Sequence, residues 1–180
     1  ERRIGEVIQH LTAGKNVALV SESGTPLISD PGFKLVREVI RAGVPVESIP
    51  GPTAAITALT ASGLPTNAFI FFGFLPKKVG KAKQLLTRLP REFTGTAIIY
   101  ESPHRLVGTL QLIKELFGDI EIVIARELTK IHEEIRREKV SQAILHFNEV
   151  IPRGEFVILF SPGAFLKQNS AGHRARNSKA

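Results

Sequence analysis

The chain has 180 residues, 43% of them hydrophobic, enough to bury a core and too apolar for wholesale disorder. It holds no cysteine, which excludes disulfides, thiol nucleophiles and cysteine-ligated metal sites, and no apolar run approaches the ~20 residues that cross a bilayer. Lys and Arg number 24 against 17 Asp and Glu, a net charge of +7 that suits a polyanionic partner such as nucleic acid.

Residues 4–13 carry Ile4, Val7, Ile8 and Leu11 on one helical face, and Gly14 is a natural stop. The chain opens on Glu1 rather than methionine, already inside this stripe, which leads us to expect upstream sequence. Val17–Val20 reads as a buried parallel strand. Then comes Ser21-Glu22-Ser23-Gly24-Thr25-Pro26-Leu27-Ile28-Ser29-Asp30-Pro31-Gly32. Connections of this kind usually take about 2–6 residues, and this one is roughly twice as long, which marks it as a functional loop. Its small residues let a ligand approach the backbone. A helix over 33–42 ends at Gly43, and 44–49 reads as a short strand, completing an expected βαβ crossover.

Pro50-Gly51-Pro52-Thr53-Ala54-Ala55 is a second polar turn, with Thr53 as the expected N-cap of an uncharged helix over 54–62. Leu64-Pro65-Thr66-Asn67 is the best candidate lobe boundary. Residues 68–74 form an aromatic strand, most of whose phenylalanines read as core. The segment 76–91 contains Lys77, Lys78, Lys81, Lys83, Arg88 and Arg91 without an acid, which makes it the better RNA-contact candidate. Thr96–Tyr100 is a buried strand running into Glu101-Ser102-Pro103-His104-Arg105, where Ser102 and Pro103 open a helix to about Phe117. A strand over 120–125 leads to Arg126-Glu127-Leu128-Thr129-Lys130. Residues 131–140 read as an exposed strand or hairpin arm, 141–148 as a short helix and 154–160 as a last strand. The basic stretch from His173 to Lys179 reads as tail.

The five histidines show no metal-ligand spacing. There is no P-loop and no nucleophile elbow. What remains is a set of turns at 21–32, 50–54, 101–105 and 126–130, whose charged candidates are Glu22, Asp30, Glu101, His104, Arg105, Arg126 and Glu127. Turns of this kind can bind a flat, adenine-containing cofactor through backbone groups, and methyl transfer asks mainly for positioning of the nucleophile.

The stretches S-E-S-G-T-P-L-I-S-D-P-G, P-G-P-T-A-A, F-F-G-F-L-P and Y-E-S-P-H-R together resemble the tetrapyrrole methylase family of S-adenosylmethionine-dependent methyltransferases. Among its members they look like those that methylate a cytidine 2′-hydroxyl in 16S ribosomal RNA of the small subunit. The resemblance runs from about residue 4 to residue 160. At Glu22-Ser23 the family form has Asp-Ala. The resemblance implies an α/β fold of two lobes with the cofactor, S-adenosylmethionine, bent in the cleft between them. By that reading the first lobe's N-terminal strand or strands are missing here. Residues 1–66 would then hold the rest of the first lobe, 67–162 the second, and 163–180 a basic disordered tail. It also implies a cytoplasmic homodimer acting on the small ribosomal subunit, with no metal and no membrane. Ser23, Gly24, Thr25, Ile28, Thr53, Ala54 and Tyr100 match the family's cofactor contacts. Glu101, Arg126 and Glu127 are catalytic candidates from charge and place, and the region around Glu155 lies near them by position. Two other readings stay open at this point: a relative acting on a small porphyrinoid, and a non-catalytic RNA-binding module.

Overall fold

The computed structural model describes residues 2–90 and 92–163. Arg91 of the basic segment and residues 164–180 of the expected tail lie outside the described residues. Packing divides the chain into two units after Thr53.

The first unit contains α1 (Arg2–Thr12) and α2 (Phe33–Arg41). Both helices stop where the glycines predict: Gly14 and Gly43 take positive φ, and Gly43 donates back to the Ile40 carbonyl. The strands expected at 17–20 and 44–49 are absent. A strand is held by its ladder, and neither run finds a ladder partner among the described residues. Their apolar side chains are accordingly open, with Val20 81% and Ile49 85% exposed. The crossover expected from these two runs does not form.

The second unit is built on a five-stranded sheet of order β1-β2-β5-β3-β4, with β1 (Phe69–Phe74), β2 (Thr96–Glu101), β3 (Glu121–Arg126), β4 (Glu134–Lys139) and β5 (Phe156–Phe160). β1 and β2 are parallel and flank α4 (Val79–Leu86), so the βαβ unit of this chain sits here. The remaining pairings are antiparallel, and β4 closes a hairpin with β3 as the charged arm predicted over 131–140.

The middle strands read as unbroken apolar runs because both faces of the sheet are covered. Along β5, Phe156, Ile158 and Phe160 join one core with Ala97, Ile99, Ile122 and Ile124; α4, α5 (Leu106–Phe117) and α6 (Val140–Glu149) complete it. Val157 and Leu159 point the other way and join Ile98, Val123 and Ala125 under α3 (Ala54–Ser62). α3 therefore packs on this sheet, although the sequence reading grouped it with residues 1–66. Burying each such Leu, Ile or Phe contributes about 1.5–3 kcal/mol.

Three local expectations change. Ser102 does not cap one long helix. Pro103–Arg105 form a 3₁₀ turn before α5, and the Ser102 N–H is taken by Glu101 instead. β1 is an edge strand, so Phe69 and Phe74 are exposed while Phe71 and Phe72 pack on the two cores. Gly163, the first residue expected in the tail, is buried and donates to the Phe93 carbonyl.

Candidate active site

In the first unit, the long loop and the P-G-P-T turn are stitched together. Both the backbone N–H and the hydroxyl of Thr25 donate to the Pro52 carbonyl, at 2.9 and 3.0 Å. The approach leaves no room for side chains. A Cβ on Gly24, whose φ is +78°, would meet the Pro52 oxygen at 3.0 Å, and one on Gly51 would meet the Thr25 hydroxyl at 3.1 Å. The Ser21 hydroxyl donates to Asp30 and closes the loop at its base. Leu27 and Ser29 hold positive φ inside it, a left-handed backbone that costs about 1–3 kcal/mol each and persists only where surrounding contacts enforce it. Thr25, with Ser23 and Gly24 beside it in the chain, is thus held against the Pro52-Thr53 turn, and Ile28 of the same loop is 40% exposed. Glu22 is exposed at the same loop.

In the second unit, register puts Glu101, Phe156, Arg126 and Glu134 in one row across β2, β5, β3 and β4. The row marks one end of the sheet. Tyr100 lies beside it. Its hydroxyl accepts the Ala55 N–H at the start of α3, at 2.9 Å, and its ring packs edge-on against Phe71 and Phe74. Burial pushes the Tyr100 hydroxyl above its ordinary pKa, only partly offset by that N–H. Ala54 and Tyr100 are therefore neighbours through α3.

Glu101 is buried, and both its oxygens are engaged. One accepts the Thr109 hydroxyl at 2.6 Å; the other accepts the Ser102 N–H at 2.8 Å and faces the Arg105 guanidinium at 3.4 Å. Arg105 then donates to the Leu75 carbonyl at 3.0 Å. Sequence reasoning missed this link, although its signal was present: Arg105 joins F-F-G-F-L-P to Y-E-S-P-H-R. Thr25 does the same for the other pair of motifs. His104 stays exposed on the 3₁₀ turn.

The loop after β3 is cross-tied. Arg126 donates to the Arg153 carbonyl and pairs with Glu134 at 3.5 Å. Glu127 accepts the Glu155 N–H at 2.8 Å, and Lys130 bridges Glu127 and Glu155 at 3.0 Å each. Glu127 sits at positive φ, and a Cβ on Gly154 would strike its side chain at 2.6 Å. The Glu155 N–H, with Lys130, holds the Glu127 carboxyl below its ordinary range. Gly154 and Lys130 were not foreseen, since only the folded pairing of β3 with β5 brings residues 127 and 155 together. Among the described residues no group of His, Asp and Glu could hold a metal ion.

The model of the tetrapyrrole (corrin/porphyrin) methylases matches residues 1–144. The chain belongs to the tetrapyrrole methylase family. This family member is 45% identical over 161 residues to a Thermotoga maritima protein named ribosomal RNA small subunit methyltransferase I, covering 89% of this chain and 72% of that one. A Hydrogenobaculum protein of the same name is 43% identical over 171 residues, 93% and 73% of the two chains. Among solved structures, a uroporphyrin-III C-methyl transferase from Thermus thermophilus, complexed with S-adenyl homocysteine, superposes with a TM-score of 0.58 at 18% identity, covering 90% of this chain and 74% of that one. That likeness shows the tetrapyrrole-methylase fold. No helix among the described residues is long and apolar enough to cross a membrane.

Proposed function

We propose that this chain is an S-adenosylmethionine-dependent methyltransferase acting on small-subunit ribosomal RNA, and that the acceptor is the 2′-hydroxyl of a cytidine in 16S RNA. The observation that carries the reading is 45% identity to a relative named for that RNA. The net charge of +7 agrees with it. The proposal includes a homodimer working in the cytoplasm.

The residues suit the cofactor chemically. Gly24 lays no side chain over the loop backbone, and Ile28 offers an exposed apolar surface. Ser23, Gly24, Thr25, Ile28, Thr53, Ala54 and Tyr100 would hold it. When bound, S-adenosylmethionine supplies an activated methyl group. The chain's own task is then to fix the ribose hydroxyl in line and receive its proton as the new carbon–oxygen bond forms. Arg126 and Glu127 are the groups we assign to orient the hydroxyl and hold that proton. Glu101, with both oxygens taken, receives a positioning part: it fixes the strand end and the turn after it.

Titration calorimetry of this chain with S-adenosylmethionine is the first test, followed by transfer of labelled methyl to 16S RNA and assembled small subunits. Binding with label on a ribose oxygen is the expected result. Label on a porphyrinoid but not on RNA would overturn the substrate, and a folded chain that binds no cofactor would overturn the activity.

A further inference from the structure

α4 is amphipathic in charge as well as hydropathy. Ala82, Leu85 and Leu86 face the core, while Lys77, Lys78, Lys81, Gln84 and Arg88 are exposed. Lys81 and Gln84 share one exposed side of α4, three residues apart, while Lys77 and Lys78 stand just before its first turn and Arg88 just after its last. Lys83, on a different side, pairs with Glu115 of α5 and ties the helix down. Several basic residues of this unit are tied to acids, and among the described residues Lys77, Lys78, Lys81 and Arg88 are not. Arg105, Arg126, Lys130 and Arg136 all hold carboxylates, whereas no carboxylate pairs with Lys77, Lys78, Lys81 or Arg88 among the described residues.

These basic residues also have a fixed address. Lys77 and Lys78 follow the Leu75-Pro76 turn, and the carbonyl of Leu75 is gripped by Arg105, which itself faces buried Glu101 at the end of β2. Phe74, just before that turn, is paired with Tyr100 in the sheet.

We infer that Lys77, Lys78, Lys81 and Arg88 form a docking surface for the sugar–phosphate backbone of the RNA substrate, and that Arg105 is a positioning residue holding this surface in register with the Tyr100–Glu101 strand end. The inference rests on the reading of the chain as an RNA methyltransferase. Unpaired lysines on a packed helix and the turn leading into it suit phosphates, which need charge rather than a directional fork. A brace at one end converts non-specific attraction into alignment.

The test is binding of this chain to 16S RNA across a salt series. Changing Lys77→Gln, Lys78→Gln and Lys81→Gln together is expected to flatten the slope of log affinity against log salt by roughly 2–3, at about 0.7–0.9 per lost phosphate contact. Cofactor affinity and the thermal midpoint should hold. Changing Lys15→Gln, Lys34→Gln and Lys114→Gln together removes the same charge elsewhere and should leave the slope alone. Arg105→Gln keeps every lysine. It should raise the KM for RNA about tenfold with the salt slope and cofactor affinity kept, a pattern that mere destabilisation does not give. An unchanged slope in the first triple, an equal loss in the second, or no RNA binding by the unaltered chain overturns the surface, and an unaltered KM in Arg105→Gln overturns the brace. Loss of slope with no methyl transfer by the unaltered chain would leave the surface standing and remove the activity instead.

Discussion

At the scale of single residues, the site depends on a few carbonyls and carboxylates that side chains hold in place. The double donation from Thr25 to Pro52 is one such point. Thr25→Arg adds bulk and charge where two backbones nearly touch, on a loop rather than in a core. Loss of cofactor binding by calorimetry, with the helical circular dichroism retained, is the expected outcome; unchanged affinity would move the site elsewhere. The Glu127–Lys130–Glu155 tie makes a prediction about pH. The Glu155 N–H and then Lys130 lower the Glu127 pKa from its ordinary 4.5, so its contribution is complete above that value and is lost as pH falls through the depressed one. Glu127 and then Glu155 raise the Lys130 pKa from 10.5, so its contribution is complete below that value and is lost as pH rises through the raised one. Amide exchange at 127–130 should therefore be slowest between about pH 4.5 and 10.5, after correction for intrinsic rates, and should quicken on both sides.

At the scale of elements, helix ends here are fixed from outside the helix. Asp119 accepts both the N–H and the hydroxyl of Ser141 in the first turn of α6, at 2.8 Å each. Burial pushes the Asp119 carboxyl up, but the two hydrogen bonds from Ser141, helped by the charges of Lys114 and Lys139, outweigh it, so its pKa falls below 3.8. The stabilisation is thus present above pH 3.8 and lost as pH falls through the lowered value. Asp119→Ala should cost about 1 kcal/mol in urea unfolding at neutral pH, and the gap to the parent should close in acid. At the other side of the sheet, Arg137 of β4 donates to the Ala61 and Ser62 carbonyls at the end of α3, a cap that no local pattern announces.

At the scale of the whole molecule, the two units carry unequal protection. β2 and β5 are buried on both faces, while the runs at 17–20 and 44–49 have no ladder among the described residues and expose their apolar side chains. Hydrogen exchange should protect Ile98, Ile99, Ile158 and Leu159 to near the global unfolding limit and leave 17–20 and 44–49 exchanging orders of magnitude faster. Equal protection would mean that these runs do form strands.

The sequence by itself determined the elements whose physics is local. Helical stripes ended at Gly14 and Gly43, Thr96–Tyr100 read as a buried strand, 120–125 and 154–160 read as strands, and the charged stretch at 131–140 read as an exposed strand or hairpin arm. It also singled out the loops to which we assign the site, because length, glycine and proline content are written in the chain. It misread 17–20 and 44–49, since an apolar run shows an appetite for burial and not whether a neighbour is there to satisfy it. Only the tertiary structure decided what each charged candidate touches. Glu101, Arg126 and Glu127 look alike as charged residues after strands. Folding buries the first against Thr109 and Arg105, and spreads the other two along a loop tied to 153–155. Those partners lie far away in sequence, and long-range pairing is set by sheet order, which no local pattern encodes.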